Sequence, residues 1–226
     1  MSGRSHLVLV ALCGLAGTAL LAVYFLAAPP LPPADASVEQ VTEVAVRFHD
    51  SWLLGAWLQA AGSTLSVVFF LGLVHLAGGA ARFAGRLALL GSAVLLAVTL
   101  IEGVFTLDIA EATANGHAAT ALTSYDLMGV FVHVFPMVPA PLIFLSLGAV
   151  LLGSHLLPRA LGYLALALGL AYLVVGLVGL FAAPALTLVV LGLQSLWIAA
   201  VALTLIVRAG RPRVAGAEMA MAESVA

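Results

Sequence analysis

Glu102 and His133 are the side chains best placed to do chemistry: both are ionisable, and they sit inside consecutive apolar runs joined by a polar loop. A charged group at the centre of a membrane helix costs about 2.5 to 3.5 kcal/mol by insertion scales, so such residues face a bundle interior or a cavity. A carboxyl and an imidazole that meet there can share and exchange a proton, and either protonation state of the pair suits that task. Gln59, Tyr172, Gln194 and Tyr24 each add one hydrogen-bonding group to the small-residue face of a neighbouring run. Counted at about 1.5 Å per residue from the outer ends of the runs, all six groups lie about 6 to 13 Å deep. Faces that converge would form a polar pocket open to the outer side and able to take a proton or a small molecule. The simpler reading makes Gln and Tyr interhelical hydrogen bonds worth about 0.6 kcal/mol each. His49, Asp50, Asp108 and Asp126 are secondary candidates at the outer boundary, where His49 and Asp50 also read as a helix start.

The elements that must position these groups follow from composition. Of 226 residues, 64% are hydrophobic and 8% charged, whereas a soluble domain carries about 25% charged residues. Apolar runs at 7–28, 52–77, 87–107, 127–154, 160–181 and 186–207 read as six transmembrane helices, an all-α polytopic bundle over 1–208. Residues 209–226 read as a disordered polar tail. Arg4, Arg82, Arg86, Arg159, Arg208, Arg211 and Arg213 fall on one side of such a bundle and Arg47 on the other, which puts both termini in the cytoplasm. All eight basic residues are Arg, and with the Ala, Leu, Gly and Val load this suggests a GC-rich bacterial genome and a bacterial plasma membrane. Cys13 is the single cysteine, which excludes an internal disulfide.

Helix faces give the packing. Gly14, Gly17, Leu21 and Tyr24 share a face of the first run; Gly55, Gln59, Gly62 and Ser66 share one of the second. Ser92, Thr99, Glu102 and Thr106 line the third, Asp126, Gly129, His133 and Pro136 the fourth, and Gly162, Ala165, Gly169, Tyr172 and Gly176 the fifth. The prolines of PPLPP end the first helix. Ser37 with Gln40 has capping-box spacing, which predicts an amphipathic helix over about 37–49 lying on the outer membrane surface. Pro136, Pro139 and Pro141 predict a fourth helix that is kinked or locally opened near mid-membrane.

Several chemistries are argued down. His75 and His133 lie in opposite leaflets, so bis-histidine haem does not fit. A zinc site needs more ligands than Glu102 and His133 supply, and no metal or cofactor is expected. Nucleotide and hydrolase motifs are absent, as are basic patches interleaved with aromatics, which excludes nucleic acid as a partner and leaves membrane lipids. The stretch GSHLLPRALGYLALALGLAYLVVGL and the final LQSLWIAAVALTLIV resemble the C-terminal half of bacterial six-helix membrane proteins grouped as a domain of unknown function of the DUF4386 type. That resemblance implies a six-helix fold and carries no activity. Three roles fit the residues: binding or moving a proton or small molecule, acting on a lipid or quinone with His133 as base, or docking a partner helix as an assembly or sensor subunit. Oligomeric state is open.

Overall fold

The computed structural model describes residues 3–27, 31–33, 35–131, 134–179 and 185–210, and every regular element within them is helical. Five helices are long and apolar enough to cross a membrane: α1 (Gly3–Ala27), α3 (His49–Leu76), α4 (Phe83–Ala114), α8 (Arg159–Gly179) and α9 (Ala185–Gly210). Between them lie α2 (Val38–Arg47), α5 (Ala118–Phe131), the single turn α6 (Val134–Met137) and α7 (Pro139–Leu152). α1 packs on α3 and α9, α3 on α4, α4 on α5 and α7, α7 on α8, and α8 on α9.

Hydrocarbon offers no hydrophobic drive between helices, so close contact depends on small residues. A Cβ placed on Gly17 of α1 would lie 2.9 Å from the carbonyl oxygen of Gly62 in α3, and one on Gly14 would lie 2.6 Å from the Phe69 ring. The α7–α8 contact is built the same way: a Cβ on Gly148 would strike Leu166, and Cβ atoms on Gly162 and Gly169 would strike Leu152 and Leu145. Aromatic rings fill the interior where these seams meet. Phe144 stacks on Tyr172 at 5.8 Å between ring centroids and meets Phe70 and Trp197 edge-on.

Three expectations are corrected. The run 127–154 is not one unbroken helix, and it opens where its prolines predict: the described chain is helical to Phe131 and over α6, passes through Val138 at φ −122° and ψ −67°, and starts again as α7. Pro139 and Pro141 fall in the first turn of α7, where a missing amide donor costs nothing because that turn has no intrahelical acceptor to meet. Second, the polar stretch between the third and fourth runs is helical on both sides. α4 continues to Ala114 and closes at Gly116 (φ +75°), with His117 N–H donating to Ala112 O and Gly116 N–H to Thr113 O, a Schellman close. The same close ends α3 at Gly78 (φ +63°).

The third correction concerns α2. Its capping box is present, with Ser37 Oγ accepting from Gln40 N–H and the Gln40 side chain accepting from Ser37 N–H at 2.9 Å. Its apolar face, however, turns into protein instead of lipid. Val41 and Ala45 are buried against Trp52 of α3, Ile109 and Ala110 of α4, and Tyr125 and Met128 of α5. α4, at 32 residues, is about 48 Å long against a hydrocarbon core of about 30 Å, so its acidic end projects beyond the membrane. There α2, α5 and the projecting end of α4 form a second apolar cluster, held by the hydrophobic effect that the bilayer interior lacks.

Candidate functional site

Glu102 lies on α4 one turn inside Thr106 and is half-buried. Gln59 of α3 is 5% exposed, and its side chain lies close enough to the Glu102 carboxyl to interact with it. Tyr24 of α1 comes near enough to interact electrostatically with Glu102; a Cβ on Gly55, one turn before Gln59, would lie 3.4 Å from the Tyr24 ring. Three helices thus deliver one acid, one amide and one phenol, and the glycine seam between α1 and α3 lets the phenol approach. Neighbouring hydroxyls do not compete for the acid. Thr106 donates to the Glu102 backbone carbonyl at 3.0 Å and contacts Met128 Sδ at 3.7 Å, while Thr99 donates to Leu95 O at 3.0 Å.

Two features set the electrostatics. No Arg or His among the described residues reaches Glu102; the acid–base contact that is present, His49 Nδ1 to Asp50 Oδ1 at 3.2 Å, lies at the surface. Gln59 Oε1 is buried and has no hydrogen-bond partner, which costs about 1 to 3 kcal/mol for an unmet buried acceptor. Gly103, next to Glu102, is buried, yet a Cβ there would meet none of the described atoms within 4 Å. The cluster therefore holds a buried oxygen lacking a partner.

The other sequence candidates divide. Tyr172 O–H donates to Gln194 Oε1 at 2.7 Å between α8 and α9, a buried pair beside the Phe144 ring, so these two satisfy each other as an interhelical link. Asp108 accepts from Ser124 Oγ at 2.5 Å and ties α4 to α5 outside the membrane, and Asp126 is exposed. His133 lies outside the described residues. Two surface depressions occur elsewhere: one between α1 and α9, lined by Arg4, Val8, Leu12 and Ile206 among others, and one of about 240 Å³ lined by Met137, Leu173, Gly176 and Leu177. Neither is lined by Gln59 or Glu102.

Partners that the sequence reading did not give join distant segments. Trp197 Nε1–H donates to Leu161 O at 2.9 Å, and Tyr125 O–H donates to Pro32 O at 2.5 Å. Arg82 donates to Gly153 O at 3.1 Å, and Arg208 donates to His155 O at 2.8 Å and to Leu156 O. The two arginines strap the α7–α8 turn to the ends of α4 and α9. Their acceptors are backbone carbonyls, which no pattern of side-chain types reveals. No protein-family model matches the chain, and neither a curated protein nor a solved structure matches it.

Proposed function

We propose that this chain is a multi-pass protein of the bacterial plasma membrane that binds and releases a proton at Glu102 inside its helix bundle. It crosses six times, with α7 and the turn before it completing the broken crossing, and both termini face the cytoplasm. The arginine-strapped turn between α7 and α8 then lies inside and the α2–α4–α5 cluster outside, in keeping with the positive-inside rule. Membrane lipids are its surroundings.

The observation that carries the proposal is a carboxyl held by α1, α3 and α4 with an amide partner and, among the described residues, no basic one. An acid so placed is expensive to keep ionised and is retained where a proton or ligand uses it. His133 is assigned as the second member of the exchanging pair. The place of Glu102 and His133 inside consecutive apolar runs supports this.

The test is proton counting. Purified protein in detergent, shifted from mildly acidic to alkaline pH in the presence of an indicator dye, releases one proton per chain fewer as Glu102→Gln than as wild type, with helicity unchanged by circular dichroism. Equal release from the two proteins would remove Glu102 from the exchange.

A further inference from the structure

We propose that α2 is a lid over Glu102: seated, it closes the path between the acid and the water at the Ala114 end of α4, and lifting it admits the proton. This inference rests on the reading of Glu102 as an exchangeable acid and specifies what controls the exchange. Trp52 precedes Gln59 by seven residues on α3, and Ile109 follows Glu102 by seven on α4. That spacing is about two turns, so each pair shares a helix face about 10 Å apart. Trp52 and Ile109 meet in the cluster that seats Val41 and Ala45 of α2, which places this apolar layer directly beyond the amide and the acid. The layer reaches down to the acid's own residue. Met128 of the cluster touches Thr106 Oγ1 at 3.7 Å, and Thr106, 2% exposed, donates to the Glu102 carbonyl at 3.0 Å. On its far side α2 turns Glu39, Glu43 and Arg47 outward, all of them exposed. A proton needs an acceptor at each step, and the side chains of Val41, Ala45, Trp52 and Ile109 offer none while α2 is seated.

The seat is built to be left. α2 has ten residues and buries two of them, Val41 and Ala45, a small apolar hold of the kind found in segments that open well below global unfolding. Trp52 Nε1 in the seat and Thr42 Oγ1 beside the buried stripe of α2 are themselves buried without a partner. The closed lid withholds water from both atoms and lifting restores it, which lowers the cost of opening. Phe48 alone separates α2 from α3, at φ −117° and ψ 27°, and it makes no side-chain capping bond to α3. A change at that one residue swings α2 while α3 stays in place, as hinges at element ends do.

The experiment uses the full chain in detergent. After a rapid pH jump with an indicator dye, the proton-release phase that Glu102→Gln lacks gives the exchange rate at Glu102, and amide hydrogen exchange over α2 gives the opening of the lid. Thr42→Val replaces an unmet hydroxyl by a methyl of the same shape, so both the α2 amides and the Glu102 phase should slow by about threefold or more. Val41→Thr adds a hydroxyl to the seat and should speed both by about the same factor, with the amplitude of the Glu102 phase unchanged. Amide exchange that shifts as stated while the Glu102 phase keeps its wild-type rate would overturn the lid and leave the exchangeable acid standing. Amide exchange over α2 that neither variant moves would likewise overturn the lid. A wild type with no phase that Glu102→Gln lacks would overturn the acid reading and the lid with it.

Discussion

Gly17 and Gly62 set how closely α1 and α3 lie, because each would place a Cβ within about contact distance of the other's backbone: 2.9 Å from Gly62 O for Gly17 and 3.1 Å from Gly17 O for Gly62. Backbone cannot give way as a side chain can, so Gly17→Ala should destabilise by about 1 to 3 kcal/mol, read from the thermal melt in detergent. Gly103→Ala is the contrast. It meets nothing among the described residues within 4 Å and should be neutral or gain up to about 1 kcal/mol from helix propensity. The sequence distinguished the seam glycines, since Gly14, Gly17, Gly55 and Gly62 repeat at helical spacing. It also brought Glu102, Gln59 and Tyr24 together as candidates. It could not show that Tyr172 and Gln194 pair with each other: one helix face says which residues turn inward, not which helix receives them. Tyr172→Phe leaves the buried Gln194 oxygen without its donor and should cost about 0.6 kcal/mol and at most about 1.7 kcal/mol, and Gln194→Leu in the same chain should recover part of the loss.

Helices were legible wherever the apolar run and its terminators agreed, as at α3, α8 and α9. They were misread where polar residues hid a helix. Asp108, Glu111, Thr113 and Asn115 look like a loop by composition, yet α4 runs through to Ala114 because Ile109 and Ala110 find an apolar partner surface on α2 and α5. The hidden stop was Gly116, whose positive φ no β-branched residue adopts cheaply. Gly116→Val should therefore cost about 1 to 2 kcal/mol and loosen the α4–α5 hairpin, visible as faster amide exchange at Ala112 to Ala121. The start of α2 carries its own pH dependence. Ser37 Oγ donates to Glu39 Oε2 at 2.7 Å and holds that carboxyl below its ordinary value. A lowered acid favours the folded form above its unfolded value, and that contribution is lost as pH falls through the lowered one. Amide exchange at Gln40 and Val41 should accelerate across that acid range and should not do so in Ser37→Ala.

Taken together, the helices build two regions that obey different solvents. The part held by glycine seams and aromatic packing needs the bilayer. The cluster of Val41, Ala45, Trp52, Ile109 and Tyr125 is an ordinary water-excluding core. A chain crossing six times should place Asn115 outside and Gly210 inside. In a Cys13→Ala background, Asn115→Cys should react with a membrane-impermeant maleimide on intact cells, and Gly210→Cys only after permeabilisation. Between those two surfaces the acid on α4 sits with its amide partner from α3, and its reversible protonation there is the claim from which the proposed activity follows. Infrared difference spectroscopy between acidic and alkaline pH tests it most directly. The account predicts a carboxylic-acid carbonyl band, shifted by its contact with Gln59, that is present in wild type, moved in Gln59→Leu and missing in Glu102→Gln. Wild-type and Glu102→Gln spectra that coincide in that region would contradict it.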